Sequence, residues 1–247
     1  MRARSKLVSG TPAARPKARG GRTSGKAAVV PRLPPAERRA QILARASEFF
    51  AEYGLTAQTR ALAAACGVAQ RLLYRYFPSK SALLDEVYRE AIVSPFKAVW
   101  LAQLRDRSGS FEQRLLDFYQ NYYRTVLTRK WLRLFLYASL AEARMAPDYI
   151  SVIVFDLLET IVREAAHEQR VELPKDPALV HEVGWMLHGA VSHLAIRQHL
   201  YNASLDVAEE RILALHVRGF LAGFPSLAAQ ARAFEVAAAD RGKLCPT

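Results

Sequence analysis

Cysteine is almost missing from this chain: Cys66 and Cys245 are the two in 247 residues, and they lie far apart. Two distant thiols make no disulfide framework, and they suit a reducing compartment. Hydrophobic residues make up 51%, enough for a sizeable core, yet no stretch reads as an apolar run long enough to span a bilayer. No alternation of strand type reaches a useful length and no internal repeat is visible, which sets aside sheet and solenoid architectures. The sequence also has no Gly-rich phosphate loop, no Gly-x-Ser-x-Gly elbow and no His-Glu-x-x-His pair. Carboxylates such as Glu142, Asp148 and Asp156 are scattered over faces that read as solvated. The expectation is a protein with no catalytic residue and no cofactor, an α-helical enzyme surviving only in principle.

Acid is absent from residues 1–36, which hold nine basic residues (Arg2, Arg4, Lys6, Arg15, Lys17, Arg19, Arg22, Lys26 and Arg32). Subtracting these from the 35 Lys and Arg leaves 26 bases against 23 acids, so most of the formal charge of +12 belongs to this segment. Rich in Ala, Gly, Pro and Ser, residues 1–35 read as a disordered basic arm. No apolar stretch of signal-peptide type follows the charges. Three readings of the arm stay open: phosphate or minor-groove contacts with DNA, a solvated leader, or an organelle transit peptide.

What is present, almost everywhere after Pro35, is helix periodicity. Ile42, Ala46, Phe49, Phe50 and Tyr53 form an amphipathic stripe ended by Gly54. Thr59 is placed to cap a second short helix that stops near Gly67, and a third spans about Ala69 to Phe77 before Pro78. Ser79 caps a fourth, with Leu83, Leu84, Val87 and Ala91 inward and Pro95 at its end. Longer helical segments follow at about 110–128, 130–144, 148–170, 178–201 and 206–223, with a frayed Ala-rich piece after Pro225. The fold class is all-α.

Ala61 to Lys80, ALAAACGVAQRLLYRYFPSK, carries the chemistry. A small-residue helix meets a Gly turn and then a helix bearing Gln, Arg and Tyr, the pattern of a helix-turn-helix. Leu73 and Phe77, with Val68, Ala63 and Ala64, can form its small core, which leaves Gln70, Arg71 and Tyr74 on the opposite side. Gln pairs bidentately with adenine, Arg with guanine, and a Tyr hydroxyl reaches phosphate or a base edge. Thr59, Arg60 and Lys80 stand at helix N-termini, where phosphate contacts are favoured.

These residues, from about Arg39 to Ala91, resemble the DNA-binding domain of the tetracycline-repressor (TetR) family of bacterial transcription factors. The carrying features are Ile42-Leu43 through Phe49-Phe50 and Gly54, then Thr59-Arg60-Ala61-Leu62-Ala63 and Gly67-Val68. The most specific string is Leu73-Tyr74-Arg75-Tyr76-Phe77 followed by Ser79-Lys80. The resemblance implies that Gln70, Arg71 and Leu72 face bases and that Tyr74, Tyr76, Lys80, Thr59 and Arg60 hold the backbone. Two departures stand out: the Gly54 to Gly67 connection is one residue shorter than the commonest spacing, and Ala69 replaces the usual Ser or Thr cap.

The family resemblance implies a helix-turn-helix domain at 36–92, an effector-binding and dimerisation domain at 93–226 and a tail at 227–247. It implies a cytoplasmic homodimer that represses transcription from a palindromic operator and is released by a small effector, with no membrane partner. The alternative is a helical ligand-binding or enzymatic bundle with a vestigial DNA module. Leu179, Val183, Leu187, Ala190, Val191 and Leu194 on one segment, and Leu213, Val217, Phe220 and Phe224 on the next, are the expected dimer faces. Gly184, Gly189, Gly219 and Gly223 leave room there for close approach. Among the aromatics of 118–137, Tyr123, Trp131 and Phe135 are the candidate effector contacts, suited to an apolar or aromatic molecule. His181, His188, His193 and His199 lie on one helix at spacings of seven, five and six, which do not gather a metal site. Cys66 reads as core.

Overall fold

A computed structural model describes residues 33–141 and 149–243. The predicted basic arm lies almost wholly outside these residues, as do Cys245, Glu142 and Asp148. Among the described residues the chain is helical without strands.

The first helix, α1 (Pro35–Tyr53), buries Ile42, Ala46, Phe49 and Phe50 as its period dictates. Tyr53 departs from the expected stripe: it is 67% exposed, its ring tilted against Phe49 at 4.9 Å. The chain leaves the helix just there, through Gly54 at φ +81°, a left-handed conformation that suits glycine. Next come α2 (Thr59–Ala65) and α3 (Gln70–Tyr76), joined through Gly67 at φ +67°. The cap position of α2 is Gln58 rather than Thr59, and Ala69 holds that of α3, so neither helix has a side-chain cap. Ser79 Oγ accepts from Ala82 N at 3.0 Å and caps α4 (Lys80–Tyr88), which runs into a π-helical turn, Arg89–Val93. Leu62, Ala63, Cys66, Leu73, Phe77, Leu83 and Val87 close the small core over α1, while Ala64, expected inside, is exposed. One residue is a rotation of about 100°, so Ala63 inward turns Ala64 outward.

The remaining helices are α5 (Ala98–Arg105), α6 (Phe111–Thr125), α7 (Arg129–Leu140), α8 (Phe155–Gln169), α9 (Pro177–His199) and α10 (Glu209–Lys243). A second π turn, Ile150–Val154, leads into α8. No sequence pattern announces α5, which is too short to display a period; it sends Trp100 and Leu104 inward. Ser110 caps α6, Thr128 caps α7, and Asp176 caps α9 with Pro177 at its first turn. Gly184 lets α9 close on α8: a Cβ there would stand 2.8 Å from Leu158 Cβ.

The faces expected at a dimer interface are instead interior. Val183, Leu187, Val191 and Leu194 of α9 and Leu213, Val217, Phe220 and Phe224 of α10 are buried in the core of this one chain. The opposite sides carry Met186, 60% exposed, and Leu215, 71% exposed. A Cβ added to Gly189, Gly219 or Gly223 would meet nothing within 4 Å, so no neighbour inside the protomer requires glycine there.

The predicted break at Pro225 does not occur, and α10 continues to Lys243. Proline removes one helical N–H and crowds the carbonyl four residues back. That carbonyl, of Leu221, accepts from Gln169 Nε2 on α8 at 2.9 Å, so it is not left unpaired. Phe224, Ala228 and Ala231 are buried on either side of the proline. Among the described residues Glu209–Ala238 is long and apolar enough to cross a membrane by length and composition, contrary to the expectation that no stretch would be. Its apolar face is packed on the bundle, and Arg124 ties its first turn down through ion pairs to Glu209 and Glu210. Only 28% of the apolar window is buried, so the helix packs on the bundle along one side.

Candidate nucleic-acid interface and effector cavity

The short helix α3 is held from behind. Leu73 and Phe77 are buried, and the Arg39 guanidinium lies over the Phe77 ring at 4.9 Å while pairing with Glu86 of α4. With that side fixed, the helical period turns Gln70, Arg71 and Tyr74 outward, Tyr74 at 39% exposure. Leu72 and Tyr76 are half-buried at the margins of this face, and Arg75 stacks over the Tyr76 ring at 5.6 Å. On α2, Arg60 is exposed and Thr59 half-buried. Lys80 has a role the sequence did not disclose: its Nζ donates to the Ala57 carbonyl at 2.8 Å, bracing the loop before α2. Two of its three N–H groups remain for another acceptor.

From Tyr53 to Leu84 there is no acidic residue, while Arg60, Arg71, Arg75 and Lys80 all fall within it. A basic face without interspersed carboxylates attracts polyanions over distances of a Debye length. Cys66 lies behind this face, buried, with Sγ 3.7 Å from the Ile42 carbonyl and its thiol pKa pushed up by burial. It behaves as a small apolar residue and not as a reactive thiolate.

A second feature lies in the body. A cavity of about 150 Å³ opens between α6, α7, the π turn before α8, and α9. Of the three candidate effector contacts, Trp131 and Phe135 line it, their rings stacked at 4.8 Å and 11°. Tyr123 does not: its hydroxyl donates to Gln198 Oε1 and its ring faces His199. Eight residues separate Tyr123 from Trp131 across the break between α6 and α7, and the turn sends Tyr123 toward the other side of α9. In its place stand Tyr122, Tyr149, Trp185, His188 and Ser192. Trp185, His188, Ser192 and Ile196 form a stripe of spacing three, four and four along α9, a signal present in the sequence but masked by the uniformly apolar character of that helix.

His188 is the cavity's buried imidazole. Tyr119, Tyr122 and Trp185 surround it, and the Tyr119 hydroxyl is 3.5 Å from Nδ1. Burial lowers its pKa to about 4, so it is uncharged at neutral pH. Burial likewise pushes Tyr149 up to about 12. Tyr122 is raised by burial first and further by the neighbouring Tyr149 hydroxyl. No group of three or more metal-ligating side chains gathers among the described residues.

An all-α chain with an N-terminal helix-turn-helix on a larger helical body is the architecture of a DNA-binding regulator. Residues 42–87, the helix-turn-helix region, match the family model of bacterial regulatory proteins, tetR family. Solved structures share the fold. A TetR-like transcriptional regulator from Rhodococcus sp. RHA1 is 21% identical with a TM-score of 0.59, covering 78% of this chain and 100% of its own. A TetR family transcriptional regulator from Pseudomonas syringae pv. tomato is 21% identical with a TM-score of 0.55, covering 77% and 96%. The fatty acid degradation regulator FadR from Bacillus halodurans is 17% identical with a TM-score of 0.55, covering 78% and 96%. A search of curated protein sequences returned no match.

Proposed function

We propose that this chain is a homodimeric, ligand-responsive repressor that reads a palindromic operator through α3. The observation that carries the reading is the α3 face. Gln70, Arg71 and Tyr74 project from a helix whose other side is locked by Leu73 and Phe77, within an acid-free segment matched to the tetR family. On this reading Gln70 and Arg71 contact base edges, Leu72 packs on them, and Tyr74, Tyr76, Thr59, Arg60 and Lys80 hold phosphates. The basic arm adds salt-dependent affinity. Residues 36–92 serve as the DNA-binding domain and the rest as the effector and dimer domain, acting in a bacterial cytoplasm.

The dimer face on this proposal is the outer side of α9 and α10. Met186 and Leu215 are exposed there beside Gly189 and Gly219, whose missing side chains would admit a close partner helix. A two-fold dimer would present two copies of α3 to half-sites about one helical turn or more apart.

Fluorescence anisotropy on a labelled intergenic fragment from beside the gene, against scrambled DNA across a salt series, tests the proposal. The intact protein is expected to prefer the genuine fragment by about a thousandfold. Replacing Arg71 and Tyr74 together with Ala removes that preference and leaves the weak, salt-dependent binding. Equal affinity of the double variant for its fragment would defeat the assignment of α3 as the reading helix.

A further inference from the structure

The cavity in the body specifies a narrower ligand than the fold requires. Its volume, about 150 Å³, is that of an apolar protein cavity known to accept benzene, ~150 Å³. One six-membered ring matches that volume. The walls present flat surfaces: Trp131 and Phe135 stacked, with Tyr149 edge-on to both at 5.5 and 5.9 Å. Rings prefer offset-stacked and edge-to-face neighbours, so a planar aromatic guest suits whatever faces and edges this cluster leaves turned to the cavity.

Polarity narrows the ligand further. No Asp, Glu, Lys or Arg lines the cavity. A carboxylate or ammonium would be stripped of water there without a counter-charge, which is prohibitive. The Tyr149 hydroxyl is different. The residue is 1% exposed; its oxygen lies beside the Tyr122 hydroxyl but makes no hydrogen bond of ordinary length and angle, so it has capacity for a further partner. Buried hydroxyls are normally satisfied, and an orphan at a cavity wall is a place for a partner to arrive. His188 and Ser192 supply further neutral hydrogen-bonding groups from α9.

We infer that this cavity binds a neutral, single-ring aromatic alcohol of the phenol class, its ring against Trp131 and Phe135 and its hydroxyl paired with that of Tyr149. The inference deepens the effector reading and depends on it only for the regulatory consequence; occupancy itself can be measured without DNA.

The test is calorimetric titration of the full chain with phenol, toluene and benzoate at neutral pH. Phenol is expected to bind one per chain with a Kd between about 10 μM and about 1 mM, the reach of so few heavy atoms. Benzoate is expected to bind at least tenfold more weakly. Tyr149→Phe should weaken phenol about tenfold and leave toluene unchanged, a split that a merely loosened core would not produce. Val154→Phe, which fills the cavity from the π turn, should abolish phenol binding; Ser192→Leu serves the same purpose should that variant fail to fold. Absent phenol binding, benzoate binding as tightly as phenol, or equal losses of phenol and toluene in Tyr149→Phe would each overturn the inference. The operator assay then separates the two readings. Phenol binding that leaves a specific operator complex intact keeps the ligand assignment and removes its role as effector. A specific operator complex with no phenol binding does the reverse.

Discussion

His188 shows how one buried residue ties the chemistry of a cavity to the stability of the fold. Its pKa falls from 6.5 to about 4 because burial among Tyr119, Tyr122 and Trp185 disfavours the charged ring. The unfolded chain therefore binds one more proton than the folded one between these two values. The linked stability is complete above pH 6.5 and is lost as the pH falls toward 4. The size of the loss is about 3 kcal/mol, on the order of 1.4 kcal/mol for each pH unit of that window. Urea unfolding at pH 7 and at pH 4.5, compared between the native protein and His188→Gln, isolates this contribution from the acid titration of carboxylates such as Glu164. Over this interval the native protein is expected to lose about 2.5 kcal/mol more than the variant; equal losses would mean that His188 is protonated in the fold.

At the scale of elements, the passage of α10 through Pro225 rests on a side chain from another helix. A proline inside a helix costs about 3 kcal/mol, part of it in the unpaired carbonyl one turn back. Gln169 Nε2 satisfies that carbonyl on Leu221. Gln169→Leu is expected to destabilise the protein by about 0.5–1.5 kcal/mol, the net worth of a hydrogen bond to a partly buried acceptor. In a Pro225→Ala background the backbone at position 225 regains its own N–H donor, and the same change should cost less than half as much. Thermal unfolding of the four members of this cycle measures the coupling; additive effects would show that Gln169 is not the compensating group.

The same case explains which elements were legible. The first four helices declare themselves by local signals: a stripe on α1, glycines at positive φ, Ser79 as a cap, Pro78 as a stop. The course of α10 was illegible because its compensation comes from residue 169, far away in sequence. The inward faces of α9 and α10 could be listed but not assigned, since Met186 and Leu215 on the outer faces are as apolar as Val183 and Val217 on the inner ones. The cavity was half legible for a related reason. Trp131 and Phe135 are one turn apart on a single helix, whereas Tyr149 and His188 reach the same space only through tertiary packing.

Across the whole molecule, α7 stands between the cavity and the DNA-binding helices. One side of it supplies Trp131, Leu132 and Phe135 to the cavity wall. The other side grips α1: Arg133 donates to the carbonyls of Ala51 and Glu52 at its C-terminal end, and Arg129 and Lys130 pair with Glu52 and Glu48. Arg133 is itself held by the Tyr137 hydroxyl at 2.9 Å, and the Tyr137 ring packs beside the place a Cβ of Gly54 would take. The Trp131 indole adds a second route, donating at 3.1 Å to the Ile92 carbonyl in the π turn that ends α4. A ligand that shifts Trp131 and Phe135 thus acts on both α1 and α4, the two supports behind α3. For that to matter, the ligand must favour one of two arrangements, with a coupling of about 1–3 kcal/mol, or roughly 5–150-fold in operator affinity. Arg133→Met keeps the packing of the stem while removing the donors to α1. Its operator affinity without ligand is expected to stay within about threefold of the native value, while the ligand-induced loss of affinity shrinks to less than half in logarithmic terms. Anisotropy titrations of the operator with and without a saturating cavity ligand measure both quantities. An undiminished ligand response in Arg133→Met would leave the Trp131 to Ile92 contact as the principal link, and Trp131→Phe, which deletes that donor while keeping a ring in the wall, would then be the variant in which the response fails.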